Sequence, residues 1–246
     1  MGRLFLLDLL FPKVCRSCGD PFRAGLSNIL CQSCFDSIAS YGGVRCGHCG
    51  LPLPERAFED STRARCADCG DGEYFLEETR SFGAYGGPLR LAHHAFKFEG
   101  MERLGKILAE KMSGEIPAAF WDGVEGIVPV PLSSERERER GYHPARILAK
   151  ELAKGVDKPL GEWLRKIRST PAQMSLSRQA RLVNPKGTYR YIGPQPAPAQ
   201  VVLVDDVLTT GATLEECAKV LRKAGVARVK AVVFGRTPRD FGEGPL

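Results

Sequence analysis

The sequence is short of apolar runs. Its N-terminal one, Leu4 to Phe11, falls far below the roughly 20 residues a membrane-spanning helix needs, so no membrane span is expected. Arg3 precedes that run as in a signal peptide, but no small-residue cleavage pattern comes before Cys15. The run is therefore read as a short amphipathic helix docked on the protein, and the compartment as cytoplasmic. No G-x-G-x-x-G and no Gly-Lys-Ser/Thr loop end occur, which excludes the dinucleotide fingerprint and the P-loop. No thioredoxin-like βαβ unit flanks a C-x-x-C pair, which speaks against redox chemistry. Aromatic residues make up only 8%, and few lie among the basic ones, so no stacking platform for single-stranded nucleic acid is visible. No repeat appears beyond two similar cysteine-rich halves.

Charge is sparse in one half and abundant in the other. The net charge is +6, but residues 1–80 hold 9 Lys and Arg against 11 Asp and Glu, and the remainder holds 26 against 18. A basic C-terminal part suits a polyanionic ligand such as a phosphorylated sugar, and tolerates nucleic acid.

What the sequence does contain is concentrated in two places. Eight of nine cysteines form four C-x-x-C pairs, Cys15/Cys18, Cys31/Cys34, Cys46/Cys49 and Cys66/Cys69. A C-x-x-C turn sets two thiolates on one edge of a tetrahedral ion, and a second turn completes it. In a reducing compartment metal outweighs disulfides. The expectation is two structural Zn²⁺ ions with sequential pairing, Cys15, Cys18, Cys31 and Cys34, then Cys46, Cys49, Cys66 and Cys69, with an interleaved cross-brace as the alternative. Gly19, Gly47, Gly50 and Gly70 lie where such turns need glycine. His48, between two knuckle cysteines, reads as a solvent-exposed turn residue. Four thiolates leave no place for water, so these metals are not catalytic, and folding of this segment depends on them.

The second place is Val201 to Thr213. Val201-Val202-Leu203-Val204 is an aliphatic run, as in a strand buried on both faces. Asp205 and Asp206 follow at its end, then a Thr-Thr-Gly loop, then a helix with Leu214, Cys217, Ala218 and Leu221 on one stripe and Gly225 as its stop. Strand, small-residue loop and helix N-terminus make a phosphate cradle, because the first helical amides lack internal partners and the dipole favours an anion. Gly211 lets backbone approach the phosphate, and Thr209, Thr210 and Thr213 add hydroxyl donors. The acid pair needs another partner, either sugar hydroxyls or Mg²⁺. Together the groups describe a ribose 5-phosphate site. Cys217 reads as a core thiol.

Val201 to Thr213 resembles the phosphoribosyl pyrophosphate (PRPP) motif of type I phosphoribosyltransferases. More of the chain resembles one branch, the ComF family of competence-related proteins. The pieces are Cys15 to Cys69, Val128-Pro129-Val130-Pro131-Leu132, Arg140-Gly141-Tyr142, and Thr170-Pro171-Ala172-Gln173 with Leu176, Arg181 and Asn184. The resemblance implies a Mg²⁺-dependent, PRPP-binding protein, linked to competence and DNA uptake, with DNA-uptake proteins and single-stranded DNA as partners. It implies that Val207, Leu208, Thr209, Thr210, Gly211, Ala212 and Thr213 hold the 5-phosphate, that Asp205 and Asp206 hold the ribose, and that Arg140 meets the pyrophosphate. The family often reads Arg-Gly-Phe-Asn-Gln where this chain has Arg140-Gly141-Tyr142-His143-Pro144. Other readings stay open, a non-catalytic DNA-binding factor and a PRPP sensor.

The expected architecture is a zinc ribbon in residues 1–78, then a parallel-sheet phosphoribosyltransferase-like α/β domain in residues 79–246, with the ligand at the carboxyl ends of the strands. Strands are predicted over Thr79 to Tyr85, Gly126 to Leu132 and Val229 to Phe234, and helices over Pro88 to Phe98, about 101–112, and from Pro144. His93 and His94 read as structural or surface residues. Lys97 resembles a basic residue common in the family. Glu135 to Arg140 reads as a solvated, salt-bridged surface. Residues 165–192, polar and basic, resemble the loop that closes over substrate in these enzymes. Phe234-Gly235-Arg236 is expected near the site.

Overall fold

A computed structural model of the chain describes residues 13–38, 43–53, 64–70, 72–168 and 187–237. The Leu4 to Phe11 helix, and Gln173, Arg181 and Asn184 with their neighbours in 169–186, lie outside the described residues.

The N-terminal part is built of short pieces: β1 (Lys13–Val14) pairs antiparallel with β2 (Pro21–Phe22), β3 (Gly25–Leu26) with β4 (Leu30–Cys31), and α1 (Gln32–Asp36) follows. Such strands are too short to hold a fold by themselves. The cysteines do the organising, and they fall into the two sequential clusters. Gly19, Gly50 and Gly70 take the left-handed conformation behind their knuckles, at φ +81°, +68° and +46°. Gly47 is not among the positive-φ residues, so its knuckle turn makes no such demand.

The rest is a four-stranded sheet from β5 (Glu78–Ala84), β6 (Gly126–Pro129), β9 (Gln200–Leu208) and β10 (Arg228–Arg236), in the order β5-β10-β9-β6, all parallel. Parallel strands are buried on both faces, which is why β9 and β10 read as aliphatic runs. On one face lie α2 (Gly87–Phe98), α3 (Leu104–Glu115) and α5 (Pro144–Gly155), packed over Val202, Val204, Val232 and Phe234. On the other lies α6 (Ala212–Lys223), with Leu214, Cys217, Ala218 and Leu221 against Val201, Leu203, Ala231 and Val233. Gly225 follows α6 at φ +106° as its stop.

Three differences from the sequence reading have physical causes. β6 ends at Pro129 instead of Leu132, because Pro129 and Pro131 have no N–H to continue the ladder. Glu135 to Arg140 lies in a helix, α4 (Ser134–Arg140), whose N-cap Ser133 side chain accepts from the Arg136 amide. Glu135 and Glu137 sit in the first turn and Arg138 and Arg140 in the last, which complements the helix dipole. The edges of the 165–192 segment form an antiparallel pair, β7 (Leu164–Lys166) with β8 (Tyr189–Tyr191), and Glu216 of α6 accepts from the Gly187 amide at 2.8 Å.

Candidate functional site

β9 runs on through the acid pair to Leu208, so Asp205 and Asp206 are strand residues and not the start of a loop. Side chains alternate along a strand. Asp206 therefore turns to the α2 face with Val202 and Val204, and Asp205 to the α6 face with Val201 and Leu203.

On the α2 face, Asp206 is 8% exposed and held at both oxygens. Its Oδ2 is ion-paired with Lys97 and lies 3.2 Å from His93 Nε2, while its Oδ1 accepts from the Val207 amide at 2.7 Å. His93 Nδ1 lies 3.0 Å from the Tyr85 hydroxyl. Burial opposes ionisation of Asp206, but the Lys97 and His93 contacts outweigh it and hold the carboxyl well below the usual range. Burial lowers the His93 pKa, the Asp206 contact notwithstanding. His93 and His94 do point apart: His94 is at the surface beside Glu99, and His93 meets the acid pair. The sequence reading gave His93 no part in the site. Its i, i+4 spacing to Lys97 on α2 places both on one face, and only the sheet showed that face to be Asp206's.

Asp205 is in the opposite state. Burial first, and then the Asp206 charge, push its pKa up to about 8. Its Oδ1 accepts from the Asp206 amide at 2.9 Å. Two adjacent carboxyls thus divide their roles, one held ionised by Lys97 and His93, the other holding a proton at neutral pH.

The residues Val207 to Thr213 differ in how far they are open to a ligand. The Val207 amide is taken by Asp206, and the Leu208 side chain is core. Thr209 and Thr210 are exposed and Gly211, Ala212 and Thr213 half-buried. Gly211 is the N-cap of α6 at φ +85° and offers no side-chain cap, so the first-turn amides face outward. The Ala212 amide makes a long 3.4 Å bond to Thr210 Oγ1. Arg140, at the end of α4, stacks its guanidinium 5.3 Å from the Phe98 ring centroid, and Lys97 Nζ lies 5.8 Å from the same centroid. Arg140 and the acid pair are therefore brought into one neighbourhood. His143 ties this region down: its Nε2 accepts from the Leu132 amide at 2.9 Å, and the residue stands at the N-cap position of α5.

The eight cysteines fit zinc. In each cluster the four sulfurs lie within 4.8 Å of one another. At a Zn–S bond of about 2.3 Å, tetrahedral sulfurs are separated by about 3.8 Å. Cys18 and Cys31 are 3.8 Å apart and Cys49 and Cys66 3.7 Å. The sequential pairing holds and the cross-brace is excluded.

The second cluster touches the cradle. Arg236, at the end of β10 and 2% exposed, donates to the Thr209 carbonyl at 3.1 Å and to Cys49 Sγ at 3.5 Å. Glu215 in the first turn of α6 accepts from the Phe75 and Leu76 amides at 3.0 and 3.3 Å. His48 corrects the sequence reading. It is 7% exposed, not solvated, stacks on Tyr74 at 3.5 Å between centroids, and has Nε2 3.6 Å from Glu215 Oε1. The knuckle places it against α6, a contact local spacing does not reveal.

Among the described residues no helix is long and apolar enough to cross a membrane. Residues 6–71 match the double zinc ribbon domain and residues 138–241 the phosphoribosyl transferase domain. The chain is 32% identical over 210 residues to competence protein F of Haemophilus influenzae, covering 82% of this chain and 88% of that protein. It is 28% identical over 204 residues to competence protein ComFC of Bacillus subtilis, covering 80% of each. It is also 29% identical over 242 residues to DNA utilization protein YhgH of Salmonella typhimurium, covering 93% and 99%.

Proposed function

This chain belongs to the family of competence protein F, and from that membership we propose that it binds PRPP and acts as a phosphoribosyltransferase-type protein in the handling of DNA. The observation that carries the reading is the Gly211-capped, outward-facing start of α6 directly after the acid pair, at the carboxyl end of a parallel sheet. The 5-phosphate sits on Thr209, Thr210, Gly211, Ala212 and Thr213. Lys97 already compensates Asp206, so the acid pair does not repel that phosphate. Asp205 and Asp206 accept from the ribose hydroxyls. Arg140 meets the pyrophosphate, whose departure it favours by offsetting the charge that develops there.

Carboxylate and phosphate oxygens are what Mg²⁺ takes, and Asp205 and Asp206 supply the protein's share. When bound, the ion neutralises the diphosphate leaving group. Positioning and charge stabilisation carry the rest, with no covalent intermediate required. Eight thiolates bound to zinc need a reducing compartment, which supports a cytoplasmic location.

A second reading follows from the relatives' names, competence protein and DNA utilization protein: the chain handles single-stranded DNA alongside other DNA-uptake proteins, with PRPP as a regulator. Calorimetric titration of the zinc-loaded protein with PRPP, with and without Mg²⁺, tests the first reading. Saturable, Mg²⁺-dependent binding supports it and leads to a screen of acceptors for pyrophosphate release. No binding removes the cradle assignment and leaves the DNA reading.

A further inference from the structure

A cavity of about 360 Å³ opens along the flank of α6 where the second zinc ribbon meets the start of β10. Its Arg222 wall is remote from the cradle, whereas Phe75 and Leu76 in the lining are tied to Glu215 in the first turn of α6. Arg222 in its wall lies about 15 Å along α6 from Ala212, at the helical rise of about 1.5 Å per residue. Three arginines line it, Arg65 from the ribbon, Arg222 from α6 and Arg228 from β10.

Their charges are unequally satisfied. Arg228 makes a bidentate pair with Glu77, at 2.8 and 2.6 Å, and the two cancel. Arg65 Nη1 is buried and has no hydrogen-bond partner among the described residues. A buried guanidinium N–H without an acceptor is costly, and the half-buried Arg65 keeps a charge in the lining that attracts an oxyanion. Arg222, exposed on α6, adds a second cation to the lining. Phe75, also in the lining, is 43% exposed although aromatic, with Lys219 Nζ 5.8 Å from its ring centroid. Two cations beside an exposed aromatic face suit an anion joined to a flat ring system. The volume falls in the range of small-ligand pockets, roughly 300–1,000 Å³, at its lower end.

We propose that this cavity is a second ligand site, separate from the cradle, that takes the 5′-phosphate of a nucleotide between Arg65 and Arg222 with the base against Phe75. The phosphate belongs either to a free mononucleotide or to the terminus of a single strand. Either source meets the same two guanidiniums.

The test is calorimetry on the zinc-loaded full chain at low salt, using adenosine 5′-monophosphate, adenosine, and a short oligothymidylate with and without a 5′-phosphate. Saturable binding of the monophosphate, absent for adenosine, is expected. Arg65→Gln with Arg222→Gln weakens it at least tenfold, while Phe75→Ala weakens the nucleotide more than inorganic phosphate. PRPP binding at the cradle stays within twofold in these variants, so failure here is distinct from failure there. Arg222→Gln alone, at an exposed helical position, gives the same direction if the double variant loses zinc. Preference for the phosphorylated oligonucleotide over the monophosphate assigns the strand terminus, and the reverse assigns the free nucleotide. The proposal is overturned if neither phosphorylated probe binds or if binding is unchanged by Arg222→Gln.

Discussion

His93 Nε2 lies 3.2 Å from Asp206 Oδ2, the same oxygen that is ion-paired with Lys97. One strand carboxylate thus joins β9 to two consecutive turns of α2. Removing one partner of a buried pair leaves the other's charge uncompensated, at about 3 kcal/mol or more. Asp206→Asn should therefore destabilise the fold by about 3 kcal/mol, and so should Lys97→Met. The double variant should cost clearly less than the two together, since neither charge is then orphaned. Urea unfolding of the four proteins measures the coupling, and strict additivity would remove the pair as a structural element.

Asp205 carries a pH dependence. Its pKa of about 8 means that it holds a proton at pH 7, and a ligand that needs the carboxylate must displace it. PRPP affinity should rise with pH from about 6 to about 8, up to tenfold per pH unit, and level off above. Calorimetry in buffers of different ionisation enthalpy should show release of up to one proton on binding. Affinity that is flat over this range would count against a role for the Asp205 carboxylate.

The same pair sets opposite stability trends. Asp205 binds its proton more tightly folded than unfolded, so its contribution falls as pH rises from about 4 towards 8. Asp206, held low by Lys97 and His93, contributes above its unfolded pKa, and that contribution is lost as pH falls through acid values. Thermal melts of Asp205→Asn should lose the decline between about pH 4 and pH 8, and those of Asp206→Asn the loss at acid pH.

Arg236 joins the second cysteine cluster to the Thr209 loop. Its guanidinium touches Cys49 Sγ and the Thr209 carbonyl together, and holds both where β10 ends. Arg236→Gln should speed chelator-driven release of one zinc ion of the two, leave the other unchanged, and weaken PRPP binding about tenfold. Cys46→Ser should repeat the effect on PRPP, whereas Cys18→Ser, in the first cluster, should not. Equal effects from both cysteines would sink the coupling.

Gly211 is constrained by conformation, not by space. An added Cβ there would meet only Leu208 Cδ1, at 3.6 Å, an ordinary contact. At φ +85°, though, an L side chain costs about 1–2 kcal/mol. Gly211→Ala should therefore keep the overall fold, lower stability by about 1 kcal/mol, and weaken PRPP several-fold as the loop relaxes. Circular dichroism and titration of the variant measure both.

Several elements were legible because their signals are local. The C-x-x-C spacing fixes two sulfurs on one turn, and the pairs closed in chain order. The aliphatic run at Val201 to Val204 marked a strand buried on both faces, and the stripe through Leu221 marked the helix that covers one of them. The exposed α4 was not legible. Its alternating charges have no apolar stripe, and what makes it helical is a Ser133 cap and a charge order matched to the dipole. His48 was misread for a different reason. It is polar in a neutral-looking setting, and the partners that bury it, Tyr74 and Glu215, come from distant segments.

By itself, then, the sequence determined what short-range stereochemistry determines: the metal-binding knuckles, the strand and helix around the acid pair, and the order of small and hydroxyl residues between them. Tertiary structure alone decided how those groups are charged. Strand alternation sent Asp205 and Asp206 to opposite faces, and the helix packed on one face brought Lys97 and His93 to Asp206 while burial left Asp205 protonated. Tertiary structure also set Arg236 between a cysteine and the cradle, and gathered Arg65, Arg222 and Phe75 around one cavity. These are contacts between residues far apart in the chain. Their energies depend on distance and desolvation, and no spacing within a linear sequence records either.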